Sequence, residues 1–147
     1  MKREIHYELN GNPVTQEVTP ETLLLDAVRQ WTTAPKEACG VGVCGACTVL
    51  VNDQPVSSCL YLAALVDGQT VWTADGLVQR FPRLAQSFVE HEGLQCGICT
   101  PGQFTAACAL LLENPHPDEA TIRHYMAGNL CRCTGYAAIV RSIHGAV

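Results

Sequence analysis

The chain is 147 residues long, 48% hydrophobic and only 16% charged, with a formal net charge of −5. That length allows one ordinary domain or two small ones, and two units of about 70 residues would each need a staple such as a metal or a disulfide. The acidic balance argues against a nucleic-acid partner, and no apolar run reaches the roughly 18 residues that a membrane-spanning helix needs.

In chain order, residues 4–9 alternate with Ile5, Tyr7 and Leu9 on one face, which predicts a half-buried strand. Asn10-Gly11 predicts a hairpin turn and Val14 to Val18 its return strand. Thr19-Pro20-Glu21 reads as a helix start, followed by Leu24, Ala27, Val28 and Trp31 on one buried face. Residues 39–47 form a glycine-punctuated loop, 48–51 and 55–58 a second hairpin around Asn52-Asp53, and 69–73 a last short strand. Two hairpins with a helix between them predict a small mixed sheet of the β-grasp kind over residues 1–75.

Beyond residue 75 the period changes from two to about 3.6, and 74–80 reads as a linker. Phe81, Leu84, Ala85, Phe88 and Val89 mark one helical stripe, which Gly93 is placed to end. Thr100-Pro101 starts a second helix, apolar nearly all round, so it is expected at the centre. Pro117-Asp118-Glu119 starts a third, with a Glu119–Arg123 pair at i, i+4, and residues 136–144 make a fourth. The expected fold is therefore α+β: a mixed sheet over 1–75, then a four-helix unit over 76–147.

Eight of the nine cysteines fall into two sets of four. Cys39-x4-Cys44-x2-Cys47, followed after eleven residues by Cys59, has the plant-type 2Fe–2S spacing. Gly40, Gly42 and Gly45 lie among these ligands, where a backbone free to take left-handed angles can wrap inward and aim N–H groups at sulfur. The second set is Cys96-x2-Cys99, then thirty-one residues, then Cys131-x-Cys133. Cys96 and Cys99 stand just before a helix N-terminus, which favours an anionic cluster. Structural zinc is the rival for this set, although zinc ligands usually come as two Cys-x2–4-Cys knuckles and Cys-x-Cys is tighter.

Disulfides are disfavoured. The paired cysteines are too close in sequence to close useful loops, the N-terminus MKREIHYELN has no apolar signal region, and the aliphatic content is high for a disulfide scaffold. A reducing, cytoplasmic setting is expected. Cys108, among alanines in mid-helix, reads as a buried thiol outside both sets. The five histidines are scattered and take no role. The low charged fraction points to a surface partly covered by partner subunits, a well-filled core being the plainer account.

Cys39-Gly40-Val41-Gly42-Val43-Cys44-Gly45-Ala46-Cys47-Thr48-Val49 resembles the first cluster loop of the molybdenum hydroxylases, the family of xanthine dehydrogenase, aldehyde oxidoreductase and carbon monoxide dehydrogenase. Gln95-Cys96-Gly97-Ile98-Cys99-Thr100-Pro101-Gly102 and Gly128-Asn129-Leu130-Cys131-Arg132-Cys133-Thr134-Gly135-Tyr136 resemble its second, and the match runs from about residue 4 to residue 144. The resemblance implies a ferredoxin-like β-grasp domain and a helical domain, each holding one 2Fe–2S cluster. It implies the small subunit of a heterotrimer, or of a dimer of heterotrimers. A large subunit would carry a molybdopterin cofactor and a medium subunit FAD. Electrons would pass from molybdenum to the helical-domain cluster, then to the ferredoxin-domain cluster, then to flavin. By the same resemblance Gln95 contacts the pterin and Cys133 lies closest to it. Val41 and Val43 depart from the family's frequent polar or glycine residues. No molybdenum-site glutamate, flavin motif or substrate pocket is present, so no catalytic residue is expected here. A free-standing carrier and an iron–sulfur sensor remain as other readings.

Overall fold

A computed structural model describes residues 1–147. Strands β1 (Arg3–Leu9) and β2 (Asn12–Val18) form the first hairpin, each burying alternate residues as the period of two requires. Helix α1 (Leu24–Val28) follows, then β3 (Thr48–Val51), β4 (Gln54–Ser57) and β5 (Thr70–Trp72). The sheet order is β2-β1-β5-β3-β4. The late strand β5 lies parallel to β1, with Leu9 opposite Val71, and antiparallel to β3, with Leu50 opposite Trp72. Five helices complete the chain: α2 (Ala74–Arg80), α3 (Pro82–Glu90), α4 (Thr100–Glu113), α5 (Glu119–Tyr125) and α6 (Ala137–His144). The fold is α+β.

Two cores share the sheet. Ile5, Leu24, Val28, Val49 and Val71 pack together on one side. Leu50, which points the other way from β3, joins Leu77, Leu84, Phe104, Leu110, Ile122, Ile139 and Ile143 of the helices. Strand β3 is thus buried on both faces, which explains why its four residues read TVLV rather than alternating. The central placement of α4 agrees with its all-round apolar sequence: nine of its fourteen residues, Gly102 to Leu110, are buried.

The structure corrects several expectations. Thr19-Pro20-Glu21 does not open a helix. Thr22 takes the Thr19 N–H on its hydroxyl in a short turn, and α1 begins only at Leu24. Trp31 falls beyond the end of α1 and is 56% exposed, its indole N–H directed at Gln16. Val89 is 68% exposed rather than part of a buried stripe. The expected linker at 74–80 is helix α2, whose Leu77 is fully buried, so the helical part has five helices rather than four. The start of α2 is held from 63 residues away: Asn10 donates to the Thr73 hydroxyl at 2.9 Å and accepts the Thr73 N–H at 2.8 Å. Gly76 sits against that same asparagine, 2.6 Å from its Oδ1 where a Cβ would be.

Candidate metal centres

The first cysteine set gathers at the end of the sheet. Cys39, Cys44 and Cys47 come from the loop before β3, and Cys59 follows β4 directly. Gly40, Gly42 and Gly45 all have positive φ, between 66° and 74°. This lets the loop curl and turn amide N–H groups toward sulfur: Val41 donates to Cys39 Sγ at 3.4 Å and Ala46 to Cys44 Sγ at 3.5 Å. Amides of Val41, Cys44 and Val43, together with the Cys44 thiol, lower Cys39 to about 6. Burial, and then the adjoining Cys47 thiol, push Cys59 up to about 11. Cys47 and Cys59 are buried against Leu25, while Cys39 and Cys44 are half-buried.

The second set assembles from two loops. Cys96 and Cys99 precede α4, and Cys131 and Cys133 lie between the 3-10 turn Met126–Gly128 and α6. Burial and the Cys131 thiol push Cys99 up to about 12. Cys133 is raised by its contact with Cys96. Burial acts to raise Cys131, but the Thr134 hydroxyl and amide, the Cys133 amide and the Cys99 thiol outweigh it, and its net shift is downward. Cys96 and Cys133 are exposed, so one side of this set opens to the surface. Gln95 is beside that opening, in a cleft of about 550 Å³ that it shares with Leu94, Thr134 and Arg141.

The donor sets fit 2Fe–2S clusters. Within each set the thiols are near enough to act on one another: Cys39 with Cys44 and Cys59, Cys47 with Cys59, Cys99 with Cys131 and Cys96, and Cys133 with Cys96 and Cys131. A two-iron cluster asks for two thiolates on each iron, whereas zinc asks for four round one point. No three His, Cys, Asp or Glu side chains close round a single ion position. The Thr100 hydroxyl, next to Cys99 at the start of α4, is buried without a protein partner. A sulfur-rich anion there would accept its proton. Cys108 is fully buried in the helical core, with its thiol pushed well up by burial, and lies outside both sets.

The two sets are tied to each other. Leu130 N–H donates to the Cys44 carbonyl at 2.8 Å, and Leu130 is the residue before Cys131. Asn129 donates from its side chain to Gly45 O at 3.1 Å and to Thr48 Oγ1 at 3.2 Å. Gln103, buried in α4, holds the Asn129 carbonyl at 2.5 Å. Asn129 and Leu130 stand inside the motif quoted from the sequence, but nothing in their spacing signals a contact with a loop 84 residues earlier. Gln103 carries no signal beyond being a polar residue in an apolar helix.

A mixed sheet with a cysteine loop at its end, back to back with helices that hold four more cysteines, defines a two-cluster iron–sulfur protein. Residues 7–74 match the 2Fe-2S iron-sulfur cluster binding domain, and residues 73–144 match the 2Fe-2S binding domain. The nicotinate dehydrogenase small FeS subunit of Eubacterium barkeri is 42% identical over 99% of this chain and 96% of that protein. Quinoline 2-oxidoreductase from Pseudomonas putida 86 superimposes with a TM-score of 0.92 and 41% identity, over 99% of this chain and 94% of that one. Aldehyde oxidoreductase from Desulfovibrio desulfuricans ATCC 27774 gives a TM-score of 0.92 at 34% identity, over 98% of this chain but 17% of that longer one. The chain belongs to the 2Fe–2S small subunits of the molybdenum hydroxylases. It is an iron–sulfur electron-transfer subunit of an oxidoreductase and not the part that transforms substrate.

Proposed function

We propose that this chain relays electrons from a molybdopterin subunit to an FAD subunit through two 2Fe–2S clusters, one held by Cys39, Cys44, Cys47 and Cys59, the other by Cys96, Cys99, Cys131 and Cys133. The division of labour follows two units meeting near residue 75, a ferredoxin-like β-grasp domain and a helical domain. Each cluster, when bound, accepts and returns one electron. The chain's own residues do the rest. The observation that carries the reading is the Leu130 N–H to Cys44 carbonyl bond, because it joins a ligand of one set to the neighbour of a ligand of the other. Exposed Cys133, with Gln95 and its cleft alongside, faces the molybdopterin partner. The first loop, with Val41 and Val43 exposed, faces the electron acceptor. Sockets saturated by thiolate leave no open coordination position for water or substrate.

The assembly is a heterotrimer or a dimer of heterotrimers, with no nucleic acid and no insertion in a membrane; no helix is long and apolar enough to cross one. A cytoplasmic location suits thiols that must stay reduced for cluster assembly. The relatives are named for nicotinate, quinoline and aldehyde, three different substrates beside one type of two-cluster iron–sulfur unit, which in the aldehyde enzyme is part of a much longer chain. The substrate here is an aldehyde, a nitrogen heterocycle or a similar small molecule gaining oxygen from water, chosen by the large subunit.

The test is reconstitution. The purified chain, loaded with iron and mixed with such substrates and an artificial electron acceptor, should give no turnover. Adding the molybdopterin subunit should bring turnover and reduce the clusters. Activity of the chain alone would sink the relay reading. A second expectation concerns Gln95. Gln95→Ala should keep about four irons per chain yet slow reduction of the clusters by substrate in the complex about 10–100-fold, the usual loss when an outer partner is removed. Unchanged reduction rates and cofactor retention would remove Gln95 from the pterin contact.

A further inference from the structure

Around Cys131 the backbone and three side chains close a ring that the electron path does not require. Thr134 donates twice to Cys131 Sγ, from its amide at 3.4 Å and from its hydroxyl at 3.1 Å. The direction of the hydroxyl proton is set by a third bond: Tyr136 N–H donates to Thr134 Oγ1 at 3.1 Å. With a lone pair occupied by that amide, the hydroxyl turns its proton onto the sulfur. The ring closes where Cys131 N–H donates to the Tyr136 hydroxyl at 3.2 Å.

Tyr136 adopts φ 69°, ψ −28°, a left-handed conformation that is uncommon for an aromatic residue. It is 39% exposed, so packing alone does not impose that conformation. Its two hydrogen bonds inside the ring do. Strain of this kind persists where the surroundings over-determine it, and it gathers at functional sites. The first socket has no counterpart. Its sulfurs receive the amides of Val41 and Ala46, and no hydroxyl reaches them.

We propose that Thr134, positioned by the strained Tyr136, tunes the reduction potential of the helical-domain cluster by donating a hydroxyl hydrogen bond to the Cys131 thiolate. This rests on the ligand assignment of the preceding subsection. Reduction adds one electron to the cluster and no bond forms or breaks. The added negative charge spreads onto the thiolate sulfurs, so a donor on Cys131 Sγ stabilises the reduced form more than the oxidised one. The hydroxyl therefore raises the potential, and its removal lowers it.

The test is a potentiometric titration of the holo complex, with the paramagnetic signal of each reduced cluster read separately. The helical-domain signal is the one missing from a Cys99→Ser variant. Thr134→Val keeps the shape of the side chain and the amide donor but loses the hydroxyl. At a fixed potential its helical-domain cluster should show a reduced-to-oxidised ratio about tenfold lower, which is about 59 mV for a one-electron couple. Iron content and the first-socket potential should not change. Thr134→Ser should keep the wild-type potential, and Tyr136→Phe should move it about threefold in the same direction as valine. Intact iron with an unmoved potential in Thr134→Val would overturn the proposal, as would an equal shift of both clusters. If the valine variant loses iron, Thr134→Ala decides, since it also removes the hydroxyl and keeps the amide donor: an unmoved helical-domain potential there overturns the proposal. Wild-type protein lacking a second paramagnetic signal would instead refute the ligand assignment beneath it.

Discussion

Replacing Cys44 by serine should remove one cluster and spare the other, and replacing Cys99 should do the reverse. Each cysteine belongs to a different group of four thiols, Cys44 beside Cys39 and Cys99 beside Cys131. Iron should fall from about four to about two per chain in either variant, with one of two paramagnetic signals lost. Turnover of the complex with its own acceptor should drop more than about 100-fold, beyond the loss usual for an outer partner, because the relay runs in series. Cys108→Ser is the control. Its thiol is fully buried among helical-core side chains. The cost should be about 1 kcal/mol, since a serine hydroxyl in mid-helix can reach the carbonyl one turn back, and both clusters should remain. Loss of a cluster in the Cys108 variant, or of both in either of the others, would show that the eight ligands are wrongly divided.

Gly102→Ala should be the most damaging small substitution in the chain. Gly102 lies in the first turn of α4 and faces the loop between Cys44 and Cys47. A Cβ there would overlap the Gly45 carbonyl oxygen and stand 3.0 Å from Gly45 C and 3.1 Å from Ala46 Cα. All three are backbone atoms of a loop already fixed by its thiols, so none can yield cheaply. Helix α4 must then shift, and the Leu130–Cys44 and Asn129–Gly45 bonds lie along the same seam. Overpacking of this kind costs about 3 kcal/mol, which for a chain of this size lowers Tm by about 6–12 °C. Electron exchange between the clusters should slow with it. Gly128→Ala is the comparison. Its Cβ would meet nothing within 4 Å and its backbone is not left-handed, so its Tm should stay within about 2 °C of wild type. Equal melting of the two variants would show that the seam is not close-packed.

Much of this protein is legible in the sequence because the controlling contacts are local. The alternation of Ile5, Tyr7 and Leu9 sets a strand by itself, and Asn10-Gly11 its turn. Cys39, Cys44 and Cys47 are close enough in sequence that spacing alone shapes a socket, and the apolar run of α4 announces a central helix. What the sequence could not decide depends on residues that meet only after folding. Helix α2 reads as a linker because its start is held by Asn10, 63 residues back. Trp31 has the phase of a buried residue but stands outside because α1 ends at Val28. Leu50 reads as one more apolar residue of a strand, yet it alone of the β3 residues enters the helical core. The sequence by itself determined two cysteine sockets, a hairpin-rich first half and a helical second half, since each follows from residues a few positions apart. Only the tertiary structure decided that the sockets lie back to back, through a glycine with no room for a methyl group and a hydrogen bond between Leu130 and Cys44. Those atoms lie about half the chain apart, and no local propensity encodes their meeting.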